Sequence, residues 1–154
     1  MRDSSLVARK IADFERGLYA SPSYIKRWGP VHSPSELPRH RGMGFLRYEQ
    51  PGQWQLSRGA QTESVDIPTP LLSDDVEALV MAAEAGAGIV VATDWLVSKQ
   101  VRAGRLVLVL PEWRVGKPSA VYAVTPSLRL LPSKTKVFLD WLISRLRGAS
   151  PARS

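Results

Sequence analysis

Two serines that open predicted helices have the chemistry to bind a small anion. Ser73 precedes Asp74 and Asp75 and a stretch of helical apolar periodicity, and Ser21 precedes Pro22, a residue type favoured at the first helical position. A serine hydroxyl, together with the free amides of a helix's first turn, can bind a carboxylate or a sulfate. Serine is also a favoured N-cap, so each hydroxyl has the alternative role of closing its own helix. The two interpretations weigh equally for Ser73, and capping is favoured for Ser21.

Residues next to these serines, and two residues at the end of another predicted strand, complete the candidate set. The carboxylate of Asp74 would repel an anion, so an anion has to reach the helix amides from the other side. Thr125 and Pro126 end another predicted strand, for which a plain strand end is the more ordinary interpretation. The candidate ligand-binding residues are Ala20, Ser21, Leu72, Ser73, Asp74, Thr125 and Pro126.

No residue pattern indicates catalysis or a metal. The chain has no cysteine, and its two histidines, His32 and His40, lie in polar surroundings without other ligand types nearby, which favours surface positions. The glycines of residues 86–88 do not form a dinucleotide-binding loop, because the strand–loop–helix order is reversed and a third glycine is missing. We therefore expect no enzymatic activity, no metal and no cofactor.

Composition is typical of one globular domain. The chain has 154 residues, of which 44% are hydrophobic and 23% charged. No segment has the length of a membrane span or the pattern of a signal peptide, so a cytoplasmic location is expected. A net charge of +7 admits a nucleic-acid partner, but the lysines and arginines are spread along the sequence without a block of like charges, which favours an ordinary solvated surface.

Short apolar segments alternate with helix signals along the chain. This alternation predicts an α/β domain with helices packed on a largely parallel sheet, in which ligands bind near the carboxyl ends of strands. In the last predicted helix, residues 133–147, an apolar stripe is expected to be buried: Val137, Phe138, Trp141, Leu142 and Leu146. Strands are predicted over residues 6–12, 16–20, 44–48, 53–57, 63–68, 88–92, 105–110 and 119–125, with a loop over 112–118.

Local signals also predict where the helices begin and end. Ser21 and Ser73 are the expected caps of the first helix and of the helix over residues 74–85. Ser33 and Glu36 have the spacing of a capping box at the start of a short helix. Gly86 stands where a left-handed residue would end the helix that starts after Ser73.

Three long segments resemble the effector-binding domain of LysR-type transcriptional regulators. They are DSSLVARKIADFERGLYASPSYIKRWG, LLSDDVEALVMAAEAGAGIVVATDWLVSKQVRAGRLVLVLPEW and VYAVTPSLRLLPSKTKVFLDWLISRL, and the short string SPSELPRH lies between the first two. Each motif is soft by itself, but their order and spacing carry the resemblance over roughly residues 3–146. The resemblance implies a periplasmic-binding-protein-like fold of two subdomains, with a small-molecule effector, often an organic anion, in the cleft between them. By the resemblance, Ser73 matches a position that faces this cleft and is the leading ligand contact. Thr125 and Pro126 lie at a crossover between the subdomains, where a hinge is the alternative to a plain strand end.

By that resemblance the chain holds one complete Rossmann-like subdomain and the C-terminal remnant of the other. Residues 1–15 are the N-terminal remnant of subdomain I, and residues 16–118 are subdomain II with its crossover strand. Residues 119–147 are the return strand and C-terminal helix of subdomain I, and residues 148–154 are expected to form a disordered tail.

No segment of this sequence resembles the family's helix-turn-helix, its linker helix or the first strands of subdomain I. We therefore expect that this chain does not itself bind DNA sequence-specifically, and that uncovered apolar faces make it associate. The family usually forms homodimers, and the sequence does not decide the oligomeric state of this chain. The alternatives are a non-functional fragment, a stand-alone solute-binding protein of the same fold, and a nucleic-acid-binding module suggested only by the charge.

Overall fold

The computed structural model describes residues 7–125 and 132–149, with side chains up to residue 145. Glu15–Lys117 forms one compact unit, called here the large unit, and the described residues on either side of it form the small unit. The helices are α1 (Pro22–Trp28), α2 (Val76–Glu84), α3 (Asp94–Arg102) and α4 (Ser133–Ala149), with a 3-10 helix over Pro34–Arg39. The strands are β1 (Val7–Phe14), β2 (Arg16–Ala20), β3 (Gly42–Phe45), β4 (Gln53–Arg58), β5 (Gln61–Asp66), β6 (Leu71–Ser73), β7 (Ile89–Thr93), β8 (Val107–Val109), β9 (Arg114–Val115) and β10 (Ser119–Thr125).

The large unit is built on a five-stranded mixed sheet with the order β6-β3-β7-β2-β8. Strand β3 is parallel to both β6 and β7, whereas β2 is antiparallel to both β7 and β8. The α/β class is as predicted, but the expectation of a largely parallel sheet needs correction, because half of its strand pairings are antiparallel. An alternation of apolar segments and helices does not show that one central strand runs against its neighbours.

Both faces of this sheet are covered, which explains its continuous apolar strands. Helices α2 and α3 cover one face, where Leu79, Val90 and Val97 belong to one buried cluster. Helix α1 and a second sheet of order β5-β4-β9 cover the other face, where Leu18, Trp54 and Leu56 pack together. The predicted strands of residues 44–68 therefore divide between two sheets, and the predicted loop over 112–118 contains the short strand β9.

Helix ends confirm some of the local signals and correct others. The Ser21 hydroxyl accepts a hydrogen bond from the Tyr24 amide at 3.2 Å, as predicted for the cap of α1. Helix α2 begins at Val76 with Asp75 as its N-cap, so the prediction that Ser73 caps it is wrong. At its other end Gly86 has φ +84°, which confirms the left-handed residue expected there.

The capping box predicted in the 3-10 segment is wrong. The Glu36 carboxylate accepts from the His32 backbone N–H at 2.8 Å, one residue earlier than the box requires, and the Ser33 hydroxyl lies 2.8 Å from that of Ser35 instead of capping the helix. Pro38 lies inside this segment and has no N–H to donate, so only a tight 3-10 turn forms.

The small unit consists of an antiparallel pair, β1 and β10, with α4 packed against β1. Ile11 and Ile143 are buried, and the Arg9 guanidinium pairs with the Asp140 carboxylate at 2.9 Å. The prediction of a buried stripe on α4 is wrong for Val137, Phe138 and Trp141, which are 69%, 55% and 52% exposed. Helical periodicity identifies the apolar face of a helix, but not whether another element covers that face.

The rest of the α4 stripe and the C-terminal tail are only partly within the described residues. Leu142 is half-buried, and the Leu146 side chain lies outside the described residues. Residues 148 and 149 belong to α4, so the expectation of a disordered tail is wrong for these two, and the rest of that tail lies outside the described part. None of the described helices is both long and apolar enough to cross a membrane.

Candidate functional site

The central sheet of the large unit has two edges that matter for the candidate residues. Strands β3, β6 and β7 end at one edge, called here the carboxyl edge, and begin at the other, the amino edge. Register places Phe45 beside Ser73 and Arg16 opposite Thr93 at the carboxyl edge. Because β2 runs the other way, it begins at the carboxyl edge with Arg16 and ends at the amino edge with Ala20.

The predicted ligand-binding residues do not come together. Leu72, Ser73 and Asp74 lie at the carboxyl edge, whereas Ala20 and Ser21 lie at the amino edge. The four steps from Arg16 to Ala20 span about 13 Å along the strand, so the two serines lie at opposite ends of the sheet and do not line one site. Thr125 ends β10 in the small unit, and Pro126 lies outside the described residues.

Ser21 is engaged in local structure. Its side chain is buried, and its hydroxyl lies 3.0 Å from that of Ser23 as well as accepting from the Tyr24 amide. Ala20 is fully buried in the core. The capping interpretation of Ser21 therefore accounts for its geometry.

Ser73 has a different local role from the one predicted. Its hydroxyl oxygen accepts from the Asp75 backbone N–H at 3.0 Å, and its carbonyl accepts from the Leu46 N–H at 2.9 Å. The Asp75 carboxylate accepts from the amides of Glu77 and Ala78 at 2.9 and 3.3 Å. Two first-turn amides of α2 are therefore occupied by a carboxylate of the chain itself, whereas the Ser73 hydroxyl donates its proton to none of the described residues.

Sequence reasoning missed three residues at the carboxyl edge. The Arg16 guanidinium donates to the Tyr48 hydroxyl at 2.8 Å and lies 5.6 Å from the centre of its ring. Thr93, directly opposite Arg16, is the N-cap of α3 but its hydroxyl makes no capping hydrogen bond. Among the described residues, no carboxylate oxygen lies within 4.0 Å of the Arg16 guanidinium.

Arg16 is the first residue of the predicted strand 16–20, a position at the end of a strand that could have singled it out. By sequence alone it is one of many cations in the chain. Its neighbours across the edge could not be found without the strand register. The edge also holds acids: the Asp94 carboxylate accepts from the Trp95 amide at 2.8 Å, and Asp74 is exposed. An anion could therefore bind on the Arg16 side of the edge, away from Asp74 and Asp75.

His40 is buried at the amino edge, so the expectation of a surface histidine is wrong for it, whereas His32 is exposed. The Tyr24 hydroxyl accepts from the Arg41 backbone N–H at 2.9 Å and lies 3.2 Å from His40 Nδ1, to which it can donate its proton. Burial lowers the pKa of His40 and raises the pKa of Tyr24, because it disfavours the charged form of each group. No group of metal-ligating side chains occurs in the part of the chain that the structure describes.

Comparison with known proteins gives one consistent family. The model of the LysR substrate binding domain matches residues 2–147. An HTH-type transcriptional repressor of Pseudomonas aeruginosa is 33% identical over 145 residues, which is 93% of this chain and 45% of the relative. PtxR, an HTH-type transcriptional regulator of the same species, is 34% identical over 152 residues, 99% of this chain and 48% of the relative. The chain thus spans about half the length of the curated relatives it matches.

Solved structures agree with this match. The regulatory domain of CrgA, a LysR-type transcriptional regulator from Neisseria meningitidis, has a TM-score of 0.79 at 30% identity, covering 95% of this chain and 71% of that one. The regulatory domain of AphB in Vibrio vulnificus has a TM-score of 0.78 at 25% identity, covering 94% of this chain and 71% of that one.

Proposed function

We propose, from the premise that this chain belongs to the LysR substrate-binding domain family, that it senses a small-molecule effector for a LysR-type transcriptional regulator. Its relatives are transcriptional regulators and not enzymes. Sequence-specific DNA recognition is assigned to the helix-turn-helix named in those longer relatives, and not to these 154 residues. A cytoplasmic location and a homodimer are likewise proposed for this chain because it belongs to the family.

The effector is proposed to bind at the carboxyl edge of the large unit, as an organic anion whose carboxylate meets Arg16. The observation that carries this proposal is the Arg16 guanidinium, which is held by Tyr48 and lacks a carboxylate partner among the described residues. A guanidinium can donate two parallel hydrogen bonds to a carboxylate. The hydroxyl of Thr93, which lies opposite Arg16, is proposed to donate to another oxygen of the same molecule. Ser73 ends β6, three strand spacings and so about 14 Å of backbone from Arg16. The Arg16 side chain extends to Tyr48 after β3, so the Ser73 hydroxyl is proposed to contact a part of the effector distant from the carboxylate.

The two units are assigned to the family's two subdomains. The large unit corresponds to subdomain II, proposed above as residues 16–118, and the small unit to the pieces of subdomain I. The exposed apolar side chains of α4 support this assignment, because they leave the small unit with an uncovered face that a complete subdomain would bury.

Binding of simple carboxylates to charge-matched variants tests the proposed site. Wild-type chain, Arg16→Gln and Lys99→Gln are titrated with succinate and with benzoate by calorimetry, using chloride at equal ionic strength as the blank. Lys99 is an exposed cation in the last turn of α3, about 9 Å along the helix from Thr93. Its variant has the same net charge as Arg16→Gln. Loss of a charged hydrogen-bonding partner costs about 1.5–3 kcal/mol, so Arg16→Gln is expected to weaken binding about 10- to 150-fold and Lys99→Gln hardly at all. Equal affinities of the two variants, or no binding by wild-type chain, would overturn the proposal.

A non-functional fragment is the competing interpretation, and the exposed apolar face of the small unit favours it. The two interpretations differ in one measurable respect, because a fragment that senses nothing shows no saturable, Arg16-dependent heat with any carboxylate. A stand-alone solute-binding protein has no observation in its favour beyond the shared fold.

A further inference from the structure

The amino edge of the large unit carries a cluster of basic side chains that the proposed effector site does not use. Lys26 and Arg27 lie in the last turn of α1, and Arg39 and Arg41 lie on either side of His40. All four are exposed, and they are called here the basic patch. Residues 21–41 contain these four cations and one carboxylate, which is a net charge of +3 out of the chain's +7.

Tertiary contacts bring together the two segments that form the basic patch. The side chain of His40 is buried against Tyr24, so the neighbouring Arg39 and Arg41 side chains extend to the surface. The Arg41 backbone N–H donates to the Tyr24 hydroxyl, and the Arg41 guanidinium lies 4.9 Å from the centre of the Trp28 ring. The end of α1 and the start of β3 are therefore held side by side.

The basic patch has no compensating acids. Among the described residues, no carboxylate oxygen lies within 4.0 Å of any of its four cations. The Glu36 carboxylate is engaged by the His32 N–H, and Glu84 at the end of α2 pairs with Arg105 at 2.9 Å. Favourable placement at the negative end of the α1 dipole accounts for Lys26 and Arg27, but not for Arg39 and Arg41.

The chemistry of the patch fits phosphate groups better than a protein surface. Protein interfaces have an apolar centre, but the one large exposed apolar side chain among residues 21–41 is Trp28, whose ring already contacts Tyr24 and Arg41. The same contacts leave the indole poorly available for stacking on an unpaired base. What remains is a group of unpaired cations, three of them arginines that match phosphate geometry.

We propose that the basic patch binds the sugar–phosphate backbone of double-stranded DNA without sequence preference. This does not conflict with the expected lack of sequence-specific binding, because contacts to phosphates position a protein on DNA but carry no sequence information. The sequence disfavoured a nucleic-acid partner because its cations are spread along the chain, whereas the fold places these four at one edge of the sheet. The proposal is independent of the effector site, which lies at the opposite edge of the sheet.

The test measures binding of the chain to a fluorescent DNA duplex of about 20 base pairs and arbitrary sequence, by anisotropy at about 50 and 200 mM KCl. Contacts to four phosphates predict a slope of log K against log salt of about −3.6, so affinity should fall about 150-fold between the two salt concentrations. A second duplex of scrambled sequence should bind equally. Preferential binding of polyglutamate over DNA would overturn the proposal in favour of an acidic protein.

Charge-matched variants locate the contact. The patch variant carries Lys26→Gln, Arg27→Gln, Arg39→Gln and Arg41→Gln. The control variant has the same net charge and carries Arg47→Gln, Lys134→Gln, Lys136→Gln and Arg145→Gln, all at exposed positions; Arg47 follows β3 at the carboxyl edge, and the other three belong to the small unit. The patch variant is expected to bind at least about 100-fold more weakly at 50 mM KCl with a much shallower salt slope, and the control variant within about threefold of wild type.

Equal losses in the two variants would show that net charge alone drives binding and would overturn the proposal, as would unchanged binding by the patch variant. If the patch variant does not fold by circular dichroism, the double variant Lys26→Gln, Arg27→Gln replaces it, because both side chains are exposed at the end of α1. That variant should lower the salt slope by about 1.8, and an unchanged slope would count against the patch.

Discussion

Replacing Asp75 by alanine tests which side chain closes helix α2. The Asp75 carboxylate accepts from the backbone N–H groups of Glu77 and Ala78, which have no partner within the helix. Loss of an N-cap of this kind costs about 1 kcal/mol, within a range of about 0.5–2. Ser73→Ala removes one hydrogen bond, to an exposed amide outside the helix, so its cost should lie near about 0.5 kcal/mol.

Two measurements follow the free energy of unfolding and the local opening of α2. For a chain of this size, about 1 kcal/mol corresponds to a fall in melting temperature of about 2–4 °C. Hydrogen exchange of the amides in the first turns of α2 should accelerate about fivefold in Asp75→Ala, since about 1.4 kcal/mol is a factor of ten. Asp75→Asn keeps an acceptor oxygen and should restore most of the protection.

The control is Asp74→Ala, which removes the same charge one residue earlier. The Asp74 carboxylate makes no hydrogen bond or ion pair to any described residue, so this variant should stay within about 0.5 kcal/mol of wild type. A Ser73→Ala variant that loses as much stability as Asp75→Ala would refute the assignment of the cap. An equal loss in Asp74→Ala would show that charge at the helix end, and not capping geometry, is responsible.

Two further predictions concern His40 and the small unit. Burial lowers the pKa of His40 from its ordinary value of 6.5, so the unfolded chain takes up the proton first and the free energy of unfolding should fall as the pH drops below that value. Urea unfolding at about pH 5 and about pH 8 should show a smaller difference in His40→Gln, and an unaltered difference would contradict the prediction. The exposed apolar face of α4 should make the chain self-associate, and Phe138→Ser with Trp141→Ser should reduce the sedimentation-derived mass at high concentration. Trp95→Ser is the control, because Trp95 is 55% exposed in the large unit, and an equal effect there would argue against the small-unit face.

The sequence by itself determined the features that are set within a few neighbouring residues. The cap and the first residue of α1, the left-handed glycine after α2 and the positions of most strands follow from residue types at short spacing, because capping and backbone conformation are local. The order and spacing of three soft motifs also identified the family. Local signals fail where two residues compete for one role, as Ser73 and Asp75 do at the start of α2.

Tertiary structure decided everything that depends on pairing between distant segments. Only the register of β2, β3, β6 and β7 shows that Ser21 and Ser73 lie at opposite edges and that Arg16 lies opposite Thr93. Burial of His40 and exposure of Trp141 depend likewise on what packs against them. The physical reason is that a strand's alternation and a helix's periodicity specify an apolar face, whereas its neighbour comes from a part of the chain that the local pattern does not contain.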